Sequence, residues 1–318
     1  MHFDVSGVTV SPFIPLLVAF CVSFFVSSAG VSGAFLLLPF QVSVLGFTSP
    51  AVSPTNLFYN IVAIPSGVYR YMREKRMAWP LAWVIIAGTL PGIFIGAIIR
   101  ILYLPDPDNF KFFAGCVLLY IGLRLVHSMI KKNDRATEKA RAVEQRFYAA
   151  KNKREKTAAN NAKQLQAVKT IKFSFKRYSY SFYGEIFAFN TIGLLLLSFI
   201  VGIVGGTYGI GGGSIIAPFL VAFFGLPVYT IAGATLMATF LTSIVGVAFY
   251  TGIAPLFAHT GLAISPDWML GALFGAGGFL GTYCGARLQK YLPAKIIKII
   301  LVITLTFIAI RYISAVFL

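Results

Sequence analysis

Long apolar runs separated by short polar segments dominate the chain. Six of them have the roughly 20 residues that an α-helix needs to cross a bilayer. These runs are 51–69, 79–103, 110–130, 228–250, 267–286 and 294–316. Two further runs, 11–47 and 187–226, are too long for one helix, and glycines interrupt each of them near its middle. The pattern predicts an all-α integral membrane protein in which each long run forms a Gly-broken helical hairpin.

The two halves of the chain repeat one another. A shift of 179 residues superposes glycines and prolines, as in Gly30/Gly209, Gly33/Gly212, Pro39/Pro218, Gly46/Gly225 and Gly67/Gly246. Farther along, a shift of 189 superposes Trp79/Trp268, Gly88/Gly277, Gly92/Gly281 and Gly96/Gly285. Two halves built on one plan are typical of secondary transporters.

The basic residues indicate how each half is oriented, because they mark cytoplasmic loops. Arg70–Arg76 follow the span at 51–69, and a long basic segment follows the span at 110–130. Residues 287–298 hold a third basic cluster, which is cytoplasmic only if 187–226 enters and leaves the membrane as a hairpin. Each half then has five segments, so we expect a multi-pass inverted repeat with both termini in the periplasm.

This topology divides the chain into three parts. Residues 1–130 form the first transmembrane repeat, 131–185 a basic cytoplasmic linker, and 186–318 the second repeat. The net charge of +17 belongs largely to the linker, since residues 131–177 alone carry a net +11. We expect anionic lipid to bind there, and no nucleic acid, because no stacking aromatics are interleaved with the basic residues. Residues 171–175 alternate like a strand, and Tyr178, Tyr180, Phe182 and Tyr183 suggest an interfacial aromatic belt.

The cysteines and histidines give no sign of enzymatic or metal chemistry. Cys21, Cys116 and Cys284 lie within apolar runs and are expected to be buried as small hydrophobic residues. The three histidines are scattered, and the sequence contains no GxSxG, HExxH or P-loop motif. We therefore predict no enzyme activity, no catalytic residue, no metal and no cofactor.

The glycine breaks are the strongest candidates for a binding site. Segments of 14–18 residues span about 21–27 Å at 1.5 Å per residue, so their breaks are expected within the membrane. A helix that restarts at such a break presents free N–H groups and the positive end of its dipole, which bind anions. The predicted substrate-binding residues here are Gly30, Ser32, Gly33, Gly209, Gly211, Gly212, Gly213 and Ser214. The alternative is tight helix packing, a role that suits Gly92/Gly96 and Gly281/Gly285 better.

Polar residues in the following spans extend the candidate site. Asn56 and Asn60 lie one turn apart, and Thr235 and Thr239 occupy the matching positions of the second half. Thr242 and Ser243 continue that polar face, and Gln41 is a weaker candidate of the same kind. Intramembrane polar groups are often functional, although a threonine also commonly bonds to its own helix.

The distribution of charged side chains favours an anionic substrate. All ten acidic residues lie at a terminus, in a loop or at the end of a span. Cation pumps generally keep a carboxylate within the membrane, and these spans have none. Arg100, Arg124, Arg287 and Arg311 lie near span ends, where we expect them to extend to the interface. A role in attracting anions is the alternative, with Arg287 the strongest candidate.

The stretch at 205–218 reads Gly-Gly-Thr-Tyr-Gly-Ile-Gly-Gly-Gly-Ser-Ile-Ile-Ala-Pro and is followed by Gly225-Leu226-Pro227. It resembles the TauE/SafE sulfite-exporter family, as do the 233–236 run and the copy at 30–39, where Ser32 and Ala34 replace glycines of the pattern. The resemblance covers both apolar halves. It implies a transporter that moves sulfite, sulfoacetate or a related organosulfonate across the bacterial inner membrane.

The function predicted from the sequence is export of such a small anion by alternating access. Import of an inorganic sulfur anion is one alternative. A membrane adaptor that recruits a cytoplasmic partner through the basic linker is the other. The residues make no prediction about the coupling ion or the oligomeric state.

Overall fold

The computed structural model describes residues 1–27, 31–130, 168–174, 177–182 and 185–288, with separate positions between 299 and 314. In the first half the helices are α1 (Phe13–Val26), α2 (Ala34–Ser43), α3 (Val52–Arg73), α4 (Trp79–Leu102) and α5 (Pro107–Ile130). In the second half they are α6 (Thr191–Tyr208), α7 (Gly212–Phe224), α8 (Val228–Ile253) and α9 (Trp268–Leu288). A 3-10 helix follows α8 over Ala254–Thr260. The helices predicted over 51–69, 79–103, 110–130, 228–250 and 267–286 are confirmed, and the described positions of 294–316 are helical.

Several helices have the length and composition of membrane spans. Within the described residues, four are long and apolar enough to cross a bilayer: α4, α6, the Tyr229–Thr260 segment and α9. Large apolar side chains remain exposed on the outer surface of the bundle, among them Leu17, Leu123 and Ile200. Such exposure is costly in water and is expected where a helix faces lipid. Cys21 and Cys116 share this exposed surface, so the expectation that they are buried is wrong; Cys284 is partly exposed.

Glycines bring α4 into backbone contact with α6. A Cβ atom at Gly88, Gly92 or Gly96 would overlap the main-chain carbonyl oxygens of Leu195, Phe199 and Ile203, respectively. On the facing helix, Gly202 and Gly206 lie against the backbone of Thr89 and Ile93. Only residues without a side chain permit this approach, which is how small residues pack helices in membranes.

The same packing recurs between α9 and α1. A Cβ atom at Gly277, Gly281 or Gly285 would overlap the carbonyl oxygens of Leu16, Phe20 and Phe24, respectively. The packing role predicted for Gly92/Gly96 and Gly281/Gly285 is therefore confirmed. Each half of the chain thus places its fourth helix against the first helix of the other half.

A small antiparallel sheet lies outside the helices, so the all-α class is corrected to a mostly helical fold. Its strands are β3 (Lys169–Phe173), β4 (Arg177–Phe182) and β5 (Glu185–Asn190), hydrogen-bonded in the order β3-β4-β5. The predicted strand at 171–175 is confirmed in part by β3. The segment 187–190, expected to begin a helix, is instead the end of β5, because its alternating aromatic residues suit a strand.

The aromatic residues of β4 hold this sheet against the helices. Tyr178, Tyr180 and Phe182 are fully buried, so they form a packed core and not the expected interfacial belt. The Tyr180 hydroxyl lies 2.8 Å from the Thr230 hydroxyl near the start of α8, and burial raises the pKa of Tyr180. Tyr183 and most of the predicted basic linker lie outside the described residues.

A short hairpin of β1 (His2–Phe3) and β2 (Val8–Thr9) closes the start of the chain. Its turn residue Ser6 donates from both its N–H and its hydroxyl to Asp267 Oδ2, at 3.1 and 2.8 Å. Asp267 Oδ1 accepts the Leu270 N–H at 3.0 Å and thereby caps the beginning of α9. A single buried carboxylate therefore links the N-terminal hairpin to the second half of the chain.

Candidate functional site

Two glycines with left-handed backbone form the second helix break. Gly209 (φ +76°) ends α6 and Gly211 (φ +75°) precedes α7. A side chain is strained at such φ values, so the break depends on glycine at both positions. Gly211 occupies the N-cap position of α7 but has no side chain. It therefore offers no side-chain oxygen to accept a hydrogen bond from the N–H groups in the first turn of α7.

The first break ends with a serine that caps the next helix. The Ala34 N–H donates to Ser32 Oγ at 3.2 Å, at the start of α2. Gly33 packs against two hydroxyls that bond to each other, since Ser23 Oγ and Tyr59 Oη are 2.6 Å apart. Gly30, which the sequence places in this site, lies outside the described residues.

The two breaks meet in the buried interior. The Ser32 N–H donates to Ser214 Oγ at 3.2 Å, and Ser214 Oγ lies 3.1 Å from Thr239 Oγ1. Both serines and the threonine are inaccessible or nearly so. A residue from the first break and one from the first turn of α7 are therefore in direct contact, although 182 positions separate them in sequence.

Asn60 connects this junction to both halves of the chain. Its Oδ1 accepts a hydrogen bond from Ser32 Oγ. Its Nδ2 donates to the Ile210 carbonyl and to Ser243 Oγ, both at 3.2 Å. The side chain is fully buried in the middle of α3, so all three partners depend on it for their geometry.

Asn56 lies one turn away and orients the start of α2. Its Nδ2 donates to the Ala34 carbonyl at 2.9 Å, and its Oδ1 accepts from Gln41 Nε2 at 3.2 Å. Gln41 Oε1 is buried and has no hydrogen-bond partner within the described part of the chain. The weaker candidate Gln41 is thus part of the same polar network.

The predicted residues of the second half have more local roles. Thr235 Oγ1 donates to the Ile231 and Ala232 carbonyls, one turn back in its own helix. Thr239 Oγ1 bonds to the Thr235 carbonyl at 2.9 Å and also reaches Ser214. Gly213 packs against the backbone of α8 at Thr235 and Thr239, while Gly212 packs against the Thr89 side chain. Gly212 and Gly213 therefore pack closely as well as beginning α7.

The junction combines hydrogen-bonding groups with positive helix ends, and none of the described acidic side chains lies in it. The starts of α2 and α7 both point into it, and each helix N-terminus carries a partial positive charge. Glu74, the acidic residue that ends α3, is bound by Arg70 and Arg76 at 2.7 and 2.5 Å. The described residues hold no group of three metal-binding side chains. Electrostatically, the junction favours an anion over a cation.

Four residues near the junction were not identified from the sequence: Ser23, Tyr59, Thr89 and Tyr208. Their side chains are ordinary for apolar spans, and only the packing around the two breaks distinguishes them. Arg100 is fully buried and lies against the carbonyl oxygens of Thr48 and Ser49. Arg287 is exposed, as expected for a residue at a span end.

Comparison with known proteins agrees with the motifs at the second break. A model of the family described as sulfite exporter TauE/SafE matches residues 15–312, nearly the whole chain. Searches of curated proteins and of solved structures found no match. The family resemblance predicted from the residues is confirmed, and the chain belongs to the sulfite exporter TauE/SafE family, a family of multi-pass membrane transporters.

Proposed function

We propose that this protein is a secondary transporter that exports a small sulfur-containing anion across the bacterial inner membrane. Sulfite, sulfoacetate and related organosulfonates are the proposed substrates. The observation that carries the proposal is the meeting of the two helix breaks, where the Ser32 N–H bonds to Ser214 Oγ. Membership of a transporter family supports it independently.

The proposed site uses the backbone as much as the side chains. A sulfite or sulfonate group presents three oxygens that accept hydrogen bonds and carries negative charge. Uncapped N–H groups at the start of α7 and the hydroxyls of Ser32 and Ser214 match those oxygens. Gly30, Gly33, Gly209, Gly211, Gly212 and Gly213 are the proposed backbone positions of this site. At the five described ones, glycine lets the neighbouring helices pack closely around the two breaks. Asn56, Asn60, Thr235 and Thr239 would hold the breaks in position and add donors.

The inverted repeat is part of the same proposal. Its support is that equivalent contacts recur at the sequence shifts of 179 and 189. Gly92 lies against the Phe199 carbonyl and Gly281 against the Phe20 carbonyl, which are matching positions in the two halves. Gly67 contacts Thr282 and Leu236, while its counterpart Gly246 contacts Ile93 and Leu57. Such recurrence is expected from two halves related by a pseudo-two-fold axis.

The topology follows from that symmetry. The first repeat at 1–130 and the second at 186–318 would insert in opposite orientations, each contributing one broken hairpin. Both termini would be periplasmic, and the linker at 131–185 would be cytoplasmic, where its positive charge contacts anionic lipid. Alternating access would consist of movement of the two halves about the buried junction.

A serine pair provides a matched test of the site. Ser214→Ala removes the acceptor of the Ser32 N–H. Ser198→Ala removes a hydroxyl that, among the described residues, bonds only to the Leu194 carbonyl of its own helix. Each purified variant is reconstituted in proteoliposomes, and flux of ³⁵S-sulfite and ¹⁴C-sulfoacetate is measured. We expect Ser214→Ala to reduce flux about tenfold, the effect of one hydrogen bond of about 1.4 kcal/mol. Equal flux in the two variants would remove the site assignment, and no flux in the wild type would remove the function.

A membrane adaptor is the second candidate, favoured by the concentration of positive charge at 131–177. Deletion of 134–162 separates the two functions, because it spares β3 and both repeats. A transporter retains sulfite flux after this deletion. An adaptor shows no flux even in the intact chain.

A further inference from the structure

Arg100 carries a buried positive charge that no acidic side chain in the described part of the chain balances. It lies in the last turn of α4 and is fully inaccessible. Its guanidinium donates to the carbonyl oxygens of Leu104, Thr48 and Ser49. Within the described chain, no carboxylate lies within 4.0 Å of it, in contrast to Arg70 and Arg76, which share Glu74. Buried charges are normally paired, so this exception requires an explanation.

The hydrogen bonds to these three carbonyl oxygens leave the Nε–H donor of the Arg100 guanidinium unused. Arg100 Nε is buried and has no hydrogen-bond partner among the described residues. The Ser49 hydroxyl is also buried and unpartnered there, although the Ser49 carbonyl accepts from the same guanidinium. Arg70 also has a buried Nε without a partner there, but Glu74 balances its charge. At Arg100 an unpaired donor, a neighbouring unpaired hydroxyl and an unbalanced charge occur together, and each of them costs free energy.

A ring connects this cluster to the second helix break. The Arg100 guanidinium lies 3.9 Å from the centre of the Phe110 ring, at the start of α5. The Tyr208 ring is 6.2 Å from the same Phe110 ring, and its buried hydroxyl has no partner in the described structure. Tyr208 is the last residue of α6 and directly precedes Gly209. A chain of ring contacts therefore links the Arg100 cluster to the second helix break.

We propose that Arg100 and Ser49 form an outer anion subsite, which receives the transported anion between the helix breaks and the periplasm. The inference rests on the proposed function and its topology, in which the C-terminal end of α4 and the 44–51 loop face outward. The guanidinium Nε–H and the Ser49 hydroxyl supply two donors and one positive charge, which suit the oxygens of a sulfite or sulfonate group. The empty donors are those that such an anion would fill.

Transport from the two sides of the membrane separates this subsite from the central one. Uptake of ³⁵S-sulfite at graded concentrations is measured in right-side-out vesicles, which give the outer KM, and in everted vesicles, which give the inner KM. We expect Arg100→Gln to raise the outer KM about tenfold or more, as for loss of a charge-assisted hydrogen bond. The inner KM should change less than about twofold.

Two further variants exclude a merely structural effect. Ser49→Ala removes a hydroxyl that bonds to nothing in the described structure, so it should leave folding intact and raise the outer KM about threefold. Arg124→Gln is the matched control, because Arg124 lies 4.2 Å from the centre of the Phe223 ring but its Nε is bonded to Tyr120. It should change neither KM.

Each outcome distinguishes the subsite from the proposed function. Absence of sulfite flux in wild-type vesicles of both orientations contradicts the function itself. Wild-type flux with an unchanged outer KM in Arg100→Gln overturns the subsite, as does an equal rise of the outer and inner KM. If Arg100→Gln fails to insert, Ser49→Ala decides, and an unchanged outer KM in that variant overturns the subsite.

Discussion

Replacing Asn60 with leucine tests whether one side chain holds the two helix breaks together. Leucine has the same branched arrangement of heavy atoms as asparagine but can neither donate nor accept. The substitution removes the bond from Ser32 Oγ and those to the Ile210 carbonyl and Ser243 Oγ. Two of these three partners belong to the second half of the chain, so the loss affects the connection between the halves.

The expected destabilisation follows from the number of bonds. Hydrogen bonds between membrane helices contribute about 0.6 kcal/mol each on average, which gives about 2 kcal/mol for three. The partners remain buried after the substitution, and an unpaired buried group can cost about 1–3 kcal/mol. We therefore expect Asn60→Leu to lower the free energy of unfolding by about 2–4 kcal/mol.

Unfolding by SDS in mixed micelles, followed by the fluorescence of the three tryptophans, measures this change. Ser198→Ala is the control, because it loses one bond to its own helix and should cost less than about 1 kcal/mol. A free energy of unfolding for Asn60→Leu within about 0.5 kcal/mol of the wild type would refute the role of Asn60, since surface substitutions have effects of that size.

Three other changes test the packing, the N-terminal hairpin and the topology. Gly92→Ala and Gly281→Ala should each lower the free energy of unfolding by about 1–3 kcal/mol and to a similar extent, because the added methyl group overlaps a carbonyl oxygen. Gly252→Ala is the control, since open space surrounds Gly252 and steric overlap should not lower the stability of that variant. Unequal losses for Gly92→Ala and Gly281→Ala would contradict the matched packing. Asp267→Ala removes the carboxylate that binds Ser6 and caps α9, so it should lower the free energy of thermal unfolding by about 1–3 kcal/mol. It should also speed hydrogen exchange in residues 1–10. Unchanged exchange there would mean that the Ser6–Asp267 contact does not hold the hairpin in place. In a chain with alanine at positions 21, 116 and 284, His259→Cys should react with an impermeant thiol reagent from the periplasm, and labelling from the cytoplasm alone would refute the inverted repeat.

Much of the helical framework could be predicted from the sequence. Hydropathy alone located α3, α4, α5, α8 and α9 to within a few residues, because each is a continuous apolar run with polar ends. The glycine runs located the break between α6 and α7, since positive φ at Gly209 and Gly211 excludes most other residues. These features depend on local composition, which a sequence displays directly.

The errors involve contacts between distant parts of the chain. The strands β4 and β5 have aromatic residues that also suit a membrane interface. Their packing against the helices, as of Phe189 against Phe224 and Tyr180 against Thr230, shows that they form a folded sheet. Arg100 lies at a span end like the other arginines, and its burial depends on the 48–49 loop and on Phe110. The pattern of residues around Arg100 or Phe189 does not predict burial of these side chains, because residues from distant segments of the chain surround them.

The polar residues of the two halves differ even where the packing matches. At the shift of 179, Gln41, Asn56 and Asn60 correspond to Leu220, Thr235 and Thr239. The first half therefore supplies side-chain amides that cross-link the breaks. The second half supplies glycine backbone and a threonine, Thr235, bonded to its own helix.

This difference has a physical reason under the proposed mechanism. If the protein alternates between two open states, the matched glycine contacts of the α4–α6 and α9–α1 pairs would let the two interfaces exchange roles. The bound anion has no such two-fold symmetry, so its site need not be symmetric. An amide-rich first half can hold the junction together while the uncapped start of α7 remains available to the anion. Substitutions at Asn60 should therefore impair stability and flux together, whereas Ser214→Ala should impair flux more than stability.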